Sequence, residues 1–489
     1  MNSRIFLRAN RAAKSGGISQ KPSGALLSAI AITLLASVAC FAQNSQSAKE
    51  DKSDPNNVFK AQPIPYPRDP TTGAIVVTPR INPGCPVRLG GVYLSGLNTP
   101  SKSSRTPDNR KISVANRNWI ARNLDIVALS HTDIDLATFP EISKINRQFT
   151  PLLYFYASCL YETERHGNVG GWKPEMSTWA LKDSSGKEIR HPDSGGHWMD
   201  FNNQDWTNHW TTRVNFLSKK YGADGVVAAE PPLSAPISLY SKDIPSAAKT
   251  TLAWLESIQP NRRVMLLPSS VGFELASPLP KPLLKPGMKE EIPDSLHEAE
   301  LVGRLWNSYF SRTEGAWAEG WLRPYWADKP VSESVWEMQV EAADRASFSG
   351  QPFIVAAGYK NESELEYALA SYLLIAKRQG RVVFQPMPII PNGKSDSGFD
   401  LGVLQKEAKK WQKYFRVSLG PGTQERHQIP VEGGLVWHRR FEKGEVYVNS
   451  NEHKTVRFSF GGKMQTVDGK LVQVVKLPPQ TGIILLNDQ

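Results

Sequence analysis

Cysteine is scarce in this chain, three in 489 residues. A disulfide scaffold is therefore excluded, and past the N-terminal segment an oxidising compartment would permit at most one bridge, between Cys85 and Cys159. Dense basic runs are also missing. The formal charge is +11, but Arg4, Arg8, Arg11, Lys14 and Lys21 carry five of those charges, so no basic stripe of the kind nucleic acid needs is left over. Beyond residue 42 no stretch is apolar for long enough to span a bilayer. The phosphate-cradling Gly-x-Gly-x-x-Gly and Gly-x-x-x-x-Gly-Lys-Ser/Thr patterns are absent, as are His-Glu-x-x-His and Gly-x-Ser-x-Gly. His131, His166, His191, His197 and His209 form no metal-ligand spacing, and Ser269 and Ser270 have no histidine in recognisable context, so no cofactor or metal is expected. Gly and Pro number 36 each and 40% of residues are apolar, which excludes collagen-like and wholly disordered chains.

The basic start leads into Ala25 to Ala42, eighteen uncharged and mostly apolar residues, the layout of a secretory signal. Ala42 suits an ordinary signal peptidase. Val38-Ala39-Cys40 also reads as a lipoprotein box with Cys40 as the lipid-bearing residue, and eighteen residues suffice for a retained anchor. The expected address is outside the cytoplasm, secreted or periplasmic, with a membrane partner only if the segment is retained or Cys40 is lipidated.

Residues 43–85 are polar and then Pro-rich, a tether or strap. From 86 to 416 short apolar runs alternate with helical stretches. The eight runs are Gly90 to Ser95, Leu124 to Ser130, Pro151 to Ala157, Ala223 to Ala229, Arg263 to Pro268, Gly315 to Glu319, Phe353 to Ala357 and Arg381 to Gln385. Helical stripes include Trp206, Trp210, Val214, Leu217 and Tyr221 behind an expected Asp205 cap. A second joins Leu301, Leu305, Trp306 and Tyr309, and a third runs from Leu365 to Ala376. Eight βα units predict a (β/α)8 TIM barrel. A doubly wound open sheet competes, without the dinucleotide fingerprint such sheets carry. Residues 417–489 hold strand-length runs between Gly, Asn and Pro turns, predicting a small all-β sandwich.

In a TIM barrel, catalytic groups sit at the C-terminal ends of strands. The sixth run is apolar until it stops at Glu319, and the fourth runs apolar to Glu230 before Pro231 and Pro232. Two carboxylates across one mouth are what glycosidic cleavage requires: one protonates the leaving oxygen, the other attacks the anomeric carbon or activates water. Asp224 and Glu314 open these runs and face the stability end. Trp321, two residues past Glu319, is a candidate for stacking on a sugar face. Tyr154 and Tyr156 on the third run, Gln385 at the end of the eighth and Asp200 before the strongest helix are further candidates for substrate contact.

Three motifs carry a resemblance: Trp198-Met199-Asp200-Phe201-Asn202-Asn203, Tyr221-Gly222-Ala223-Asp224-Gly225-Val226 and Glu314-Gly315-Ala316-Trp317-Ala318-Glu319. The chain from about Gly90 to Leu486 resembles the hypothetical glycosyl hydrolase families of TIM-barrel type with a closing β domain. The resemblance implies a hydrolase of poly- or oligosaccharide glycosidic bonds, with Glu319 as the strand-six carboxylate and Asp200 as the Asp of the pre-helix turn. The fourth strand departs from the pattern. Ala229 stands where the family places Asp, and Glu230 follows one position on, a shift that normally turns a side chain to the opposite face. A non-catalytic carbohydrate-binding or cell-surface protein on the same barrel therefore stays open as the alternative.

Overall fold

The computed structural model describes residues 87–92, 94, 97, 112–162, 167–191, 195–229, 244–262, 265–268, 313–324, 329–377, 381–389 and 400–487. The export segment, Cys40, Cys85, Glu230 and the stripe expected at 301–309 lie outside them.

Each of the eight expected runs overlaps a parallel strand. In chain order they are β1 Gly90–Val92, β2 Ile126–Leu129, β3 Thr150–Tyr156, β6 Gly225–Ala229, β7 Met265–Pro268, β8 Ala316–Ala318, β9 Phe353–Tyr359 and β10 Val382–Pro388. The short pair β4 Cys159–Leu160 and β5 His197–Trp198 belongs to an insertion after β3. Two parallel sheets form, β1-β2-β3-β6-β7 and β10-β9-β8. Side chains close both seams. At one, Leu89 bridges Phe384, and the Gln385 amide accepts from Val92 N–H at 3.1 Å and donates to Val92 O at 3.3 Å. At the other, Glu314 Oε2 accepts the Leu266 N–H at 2.8 Å while its own N–H reaches Leu266 O at 3.3 Å; Arg262 braces the carboxylate from Nη2 at 2.8 Å. Glu314 thus has the structural place expected of it.

Alternation along the strands sorts side chains between two layers. Val92, Ala128, Tyr154, Val227, Trp317 and Ile354 belong to the cluster that fills the barrel interior. Their neighbours Val127, Leu153, Phe155, Val226, Ala318 and Val355 join the larger core beneath the helices. A filled interior fed by every strand is the packing of a TIM barrel. The surrounding helices are α1 Val114–Asn123, α2 Thr138–Ile145, α3 Gln204–Tyr221, α4 Ile244–Ile258, α5 Glu333–Ser349 and α6 Glu362–Ile375, followed by α7 Leu401–Lys410 and α8 Gln412–Phe415. The α3 stripe is buried as expected, but the cap is Asn203, whose side chain accepts from the N–H groups of Asp205 and Trp206 at 2.9 and 3.1 Å. Gly222, φ 70°, ends the helix in the left-handed region.

The C-terminal part is all-β, but it is one rolled sheet where a sandwich of two was expected. The strands are β11 His427–Val431, β12 Gly434–Phe441, β13 Gly444–Asn449, β14 Val456–Thr466, β15 Leu471–Leu477 and β16 Thr481–Asn487, in the order β11-β12-β13-β16-β14-β15. A bridge between Glu432, just after β11, and Arg457 of β14, with N–H···O distances of 3.1 and 2.8 Å, brings the β11 end of the sheet round to β14, the strand next to the other end. The six strands form no second sheet, because the layer that covers them is a barrel helix. Val446, Val448 and Ile484 face α6 in the main core, while Val436, Tyr447 and Leu485 fill the roll. Gly482 permits the contact: a Cβ there would come within 2.7 Å of the Ala370 side chain. From Tyr367 to Ile375 every residue of α6 is buried. Arg439 of β12 then crosses to the end of α6, and its Nη1 donates to Leu373, Leu374 and Ala376 carbonyls at 2.9, 3.0 and 2.9 Å.

Candidate functional site at the barrel mouth

Parallel strands deliver their C-terminal ends to one rim. On β3, Tyr154 points inward and is 5% exposed, and Tyr156, two residues on, is half-buried at the rim. Edge-to-face ring contacts run from Trp317 to Tyr154 (6.1 Å), Tyr154 to Tyr156 (5.5 Å) and Tyr156 to Tyr161 of the insertion (5.9 Å). Such T-shaped geometry suits the ring quadrupoles. Gly167, φ 77°, lies flat against this ladder, where a Cβ would come within 2.9 Å of the Tyr156 ring. Its N–H donates to Ser130 Oγ at 2.9 Å and its carbonyl accepts from Tyr156 N–H at 2.7 Å, so the insertion is tied to the tops of β2 and β3.

Glu319 follows β8 directly and is half-buried. It lies two residues past the inward Trp317, in the turn that follows the strand. The turn it belongs to is tight. Arg323 N–H closes onto Trp321 O at 2.7 Å across Leu322, which has φ 58°. A non-glycine residue in that region costs on the order of 1–3 kcal/mol and persists only where its surroundings over-determine it. Here they do. Trp321 N–H donates to Ala356 O at 3.0 Å, Gly358 N–H to Arg323 O at 2.8 Å and Leu322 N–H to Gln339 Oε1 at 2.6 Å.

The other expected site residues have structural partners. Trp321 is fully buried, with its indole N–H directed at Gln339 O (3.4 Å), so it packs in the core and presents no face for stacking. Gln385 is also fully buried and uses its amide to close the β10–β1 seam; the polar group at the strand end serves the barrel wall. The Asp200 side chain accepts from the Asn202 N–H and side-chain amide at 2.9 and 3.2 Å, shaping the turn that launches α3. Ala229 is the last described residue of β6 and joins the interior cluster at 2% exposure. The structure thus brings Tyr154 and Tyr156 to the inner side of β3, sets Glu319 in the turn directly after β8, and leaves Trp321, Gln385 and Asp200 in supporting positions.

The insertion holds a polar relay that the sequence does not reveal, because its strands are two residues long. Fully buried His197 stacks on Trp172 at 3.6 Å and shares a 2.8 Å hydrogen bond with Glu188, which also accepts from Ser177. Burial, and next the Arg190 cation, push the His197 pKa down despite Glu188, favouring neutral imidazole. An open cavity of about 420 Å³ lined by Lys187, Glu188 and Arg190 adjoins the relay. Among the described residues no group of three or more His, Cys, Asp or Glu side chains gathers as a metal site, and no helix is long and apolar enough to cross a membrane.

No protein-family model matches this chain, and no curated protein matches it by sequence. Among solved structures it is similar in fold to a maltogenic alpha-amylase, AmyB, from Thermotoga neapolitana, at 11% identity and a TM-score of 0.45 over 82% of this chain and 99% of that one. The alpha-amylase of Geobacillus thermoleovorans complexed with acarbose gives 10% identity and 0.41 over 83% and 99%. The glycoside hydrolase domain of PelA from Pseudomonas aeruginosa gives 15% identity and 0.35 over 62% and 94%.

Proposed function

We propose that this chain is an exported glycoside hydrolase that cleaves glycosidic bonds of a poly- or oligosaccharide at the barrel mouth, without a cofactor. The observation that supports the reading is Glu319, half-buried directly after β8 and two residues past Trp317, whose ring meets the rising ladder of Tyr154 and Tyr156. In this reading Glu319 is the acid/base: it gives its proton to the leaving oxygen as the bond to the anomeric carbon breaks, and takes one back from water afterwards. Glu230 is the proposed nucleophile or base across the mouth. Half-buried Tyr156 offers a ring face and a hydroxyl to the sugar. Export follows from the N-terminal signal, with a membrane contact only through a retained segment or a lipidated Cys40.

A second reading has its own support. Ala229 faces the interior at the end of β6, where a second carboxylate would be most useful, and Glu230 has the opposite parity in the sequence. That pattern favours a carbohydrate-binding protein on an inactive barrel. Glu319→Gln and Glu230→Gln, assayed on a panel of glycans for both turnover and binding, separate the two. A hydrolase loses at least 100-fold in turnover while keeping its ligand. A binder shows ligand retention and no turnover in the parent chain, an outcome that would remove the enzymatic reading.

A further inference from the structure

We infer that Gln339 is a positioning residue that sets the angle of Glu319 at the mouth, an inference resting on the hydrolase reading above. β8 is three residues long and its exit reverses within five residues, from Glu319 to Arg323. β9 serves this turn on both sides of Leu322, taking the Trp321 N–H at Ala356 O and giving the Gly358 N–H to Arg323 O. The Leu322 N–H between them is served from a different element: Gln339 of α5, whose Oε1 lies 2.6 Å away. With φ 58° at Leu322, this hydrogen bond holds a leucine in a conformation that leucine otherwise avoids.

The glutamine is costly where it stands. Gln339 is fully buried, and its Nε2 finds no acceptor among the described residues. A leucine or methionine would occupy similar volume with no orphaned donor, so packing alone favours an apolar residue here. What glutamine adds is the acceptor for Leu322. Because Glu319 lies on the same short turn, loss of that acceptor lets the turn relax toward an ordinary leucine conformation and carries the carboxyl away from its place. Misplacement of an acid by about an ångström lowers turnover by up to about 100-fold while leaving ground-state sugar contacts on β3 in place.

The test uses the full chain carrying Gln339→Leu, Gln339→Met or Gln339→Glu, the last keeping an acceptor oxygen at the same reach. Steady-state kinetics are measured on whichever glycan of the panel the parent cleaves. Hydrogen exchange is followed in the peptide covering 319–324, with melting temperature recorded for each variant. The expected result is a 10- to 100-fold lower kcat with KM within twofold for Leu and Met, faster exchange at 319–324, unchanged or raised melting temperature, and recovery of most of kcat by Glu. An active parent whose Gln339→Leu and Gln339→Met variants keep kcat within twofold overturns the inference. So does a loss in all three variants that simply tracks melting temperature. A parent without turnover on the panel is a different failure, that of the hydrolase reading itself.

Discussion

Replacing Arg439 with Met is expected to loosen the rolled sheet from the barrel. The residue is 4% exposed, and its guanidinium donates from Nη1 to three carbonyls at the end of α6, at 2.9, 3.0 and 2.9 Å, and from Nε to Gln424 O at 3.1 Å. The last carbonyls of a helix have no partners within the helix, and this end is buried by the sheet, so water cannot replace the arginine. A hydrogen bond from a charged donor contributes about 1.5–3 kcal/mol net, and an orphaned buried carbonyl costs about 1–3 kcal/mol; the bonds share one group and do not add. Removing all four is expected to cost about 3–5 kcal/mol, close to what breaking a buried charged cluster costs. Lysine, a compact ammonium with three donors, is expected to recover about half of that. Trp437 of β12 faces Trp336 of α5 with centroids 5.7 Å apart, so tryptophan fluorescence in urea reports the docked interface. Lys476→Met, an exposed cation on the same sheet, is the control and is expected to change stability by less than about 0.5 kcal/mol. A stability for Arg439→Met within 1 kcal/mol of the control would refute the argument that the arginine is the cap of α6.

Two further predictions concern pH. Burial raises the Glu366 carboxyl to about 7; it accepts the Ile484 N–H at 3.1 Å and the Tyr414 hydroxyl at 3.3 Å. The folded state therefore holds a proton that the unfolded state releases from about pH 4.5, so stability falls as pH rises through 4.5 to 7, by on the order of 3 kcal/mol. Glu366→Gln should abolish that slope and be the more stable form at pH 8, and denaturation midpoints that keep the slope would count against it. Glu445 has the opposite sign. The His438 hydrogen bond outweighs burial, with Tyr447 and Arg440 assisting, and holds its carboxyl at about 2. Its contribution is present above about pH 4.5 and is lost as pH falls toward 2, on the order of 3 kcal/mol. Glu445→Gln should flatten the acid limb of the stability curve, and an unchanged limb between pH 5 and 2 would contradict the assignment.

The eight barrel strands were legible because each is a short apolar run followed by a helix-length interval. The same property hid which residue faces where. A strand buried on both sides reads as a continuous apolar run, so Val226 and Val227 look alike until the interior cluster separates them. Gln385 looked like a mouth residue because its partner, Val92, is 293 positions away and no local pattern announces a seam. Trp321 follows a strand end in the sequence, but the reversal at Leu322 buries it, and leucine gives no signal of a left-handed turn. β11 is hard to read from the sequence because His427, Gln428 and Pro430 suit only an edge, where one side of the strand needs no ladder. Gln339 could have been suspected from one clue, a lone glutamine on the buried stripe of α5.

The burial of α6 by β13 and β16 has a consequence for biosynthesis. More than a hundred codons separate Tyr367 from Ile484, so at about 5–20 residues per second the ribosome leaves a greasy cylinder uncovered for several seconds or longer. During that interval the nascent polypeptide is a natural client for holdase chaperones, and a transcript truncated before Thr481 should yield inclusion bodies in place of a smaller soluble barrel.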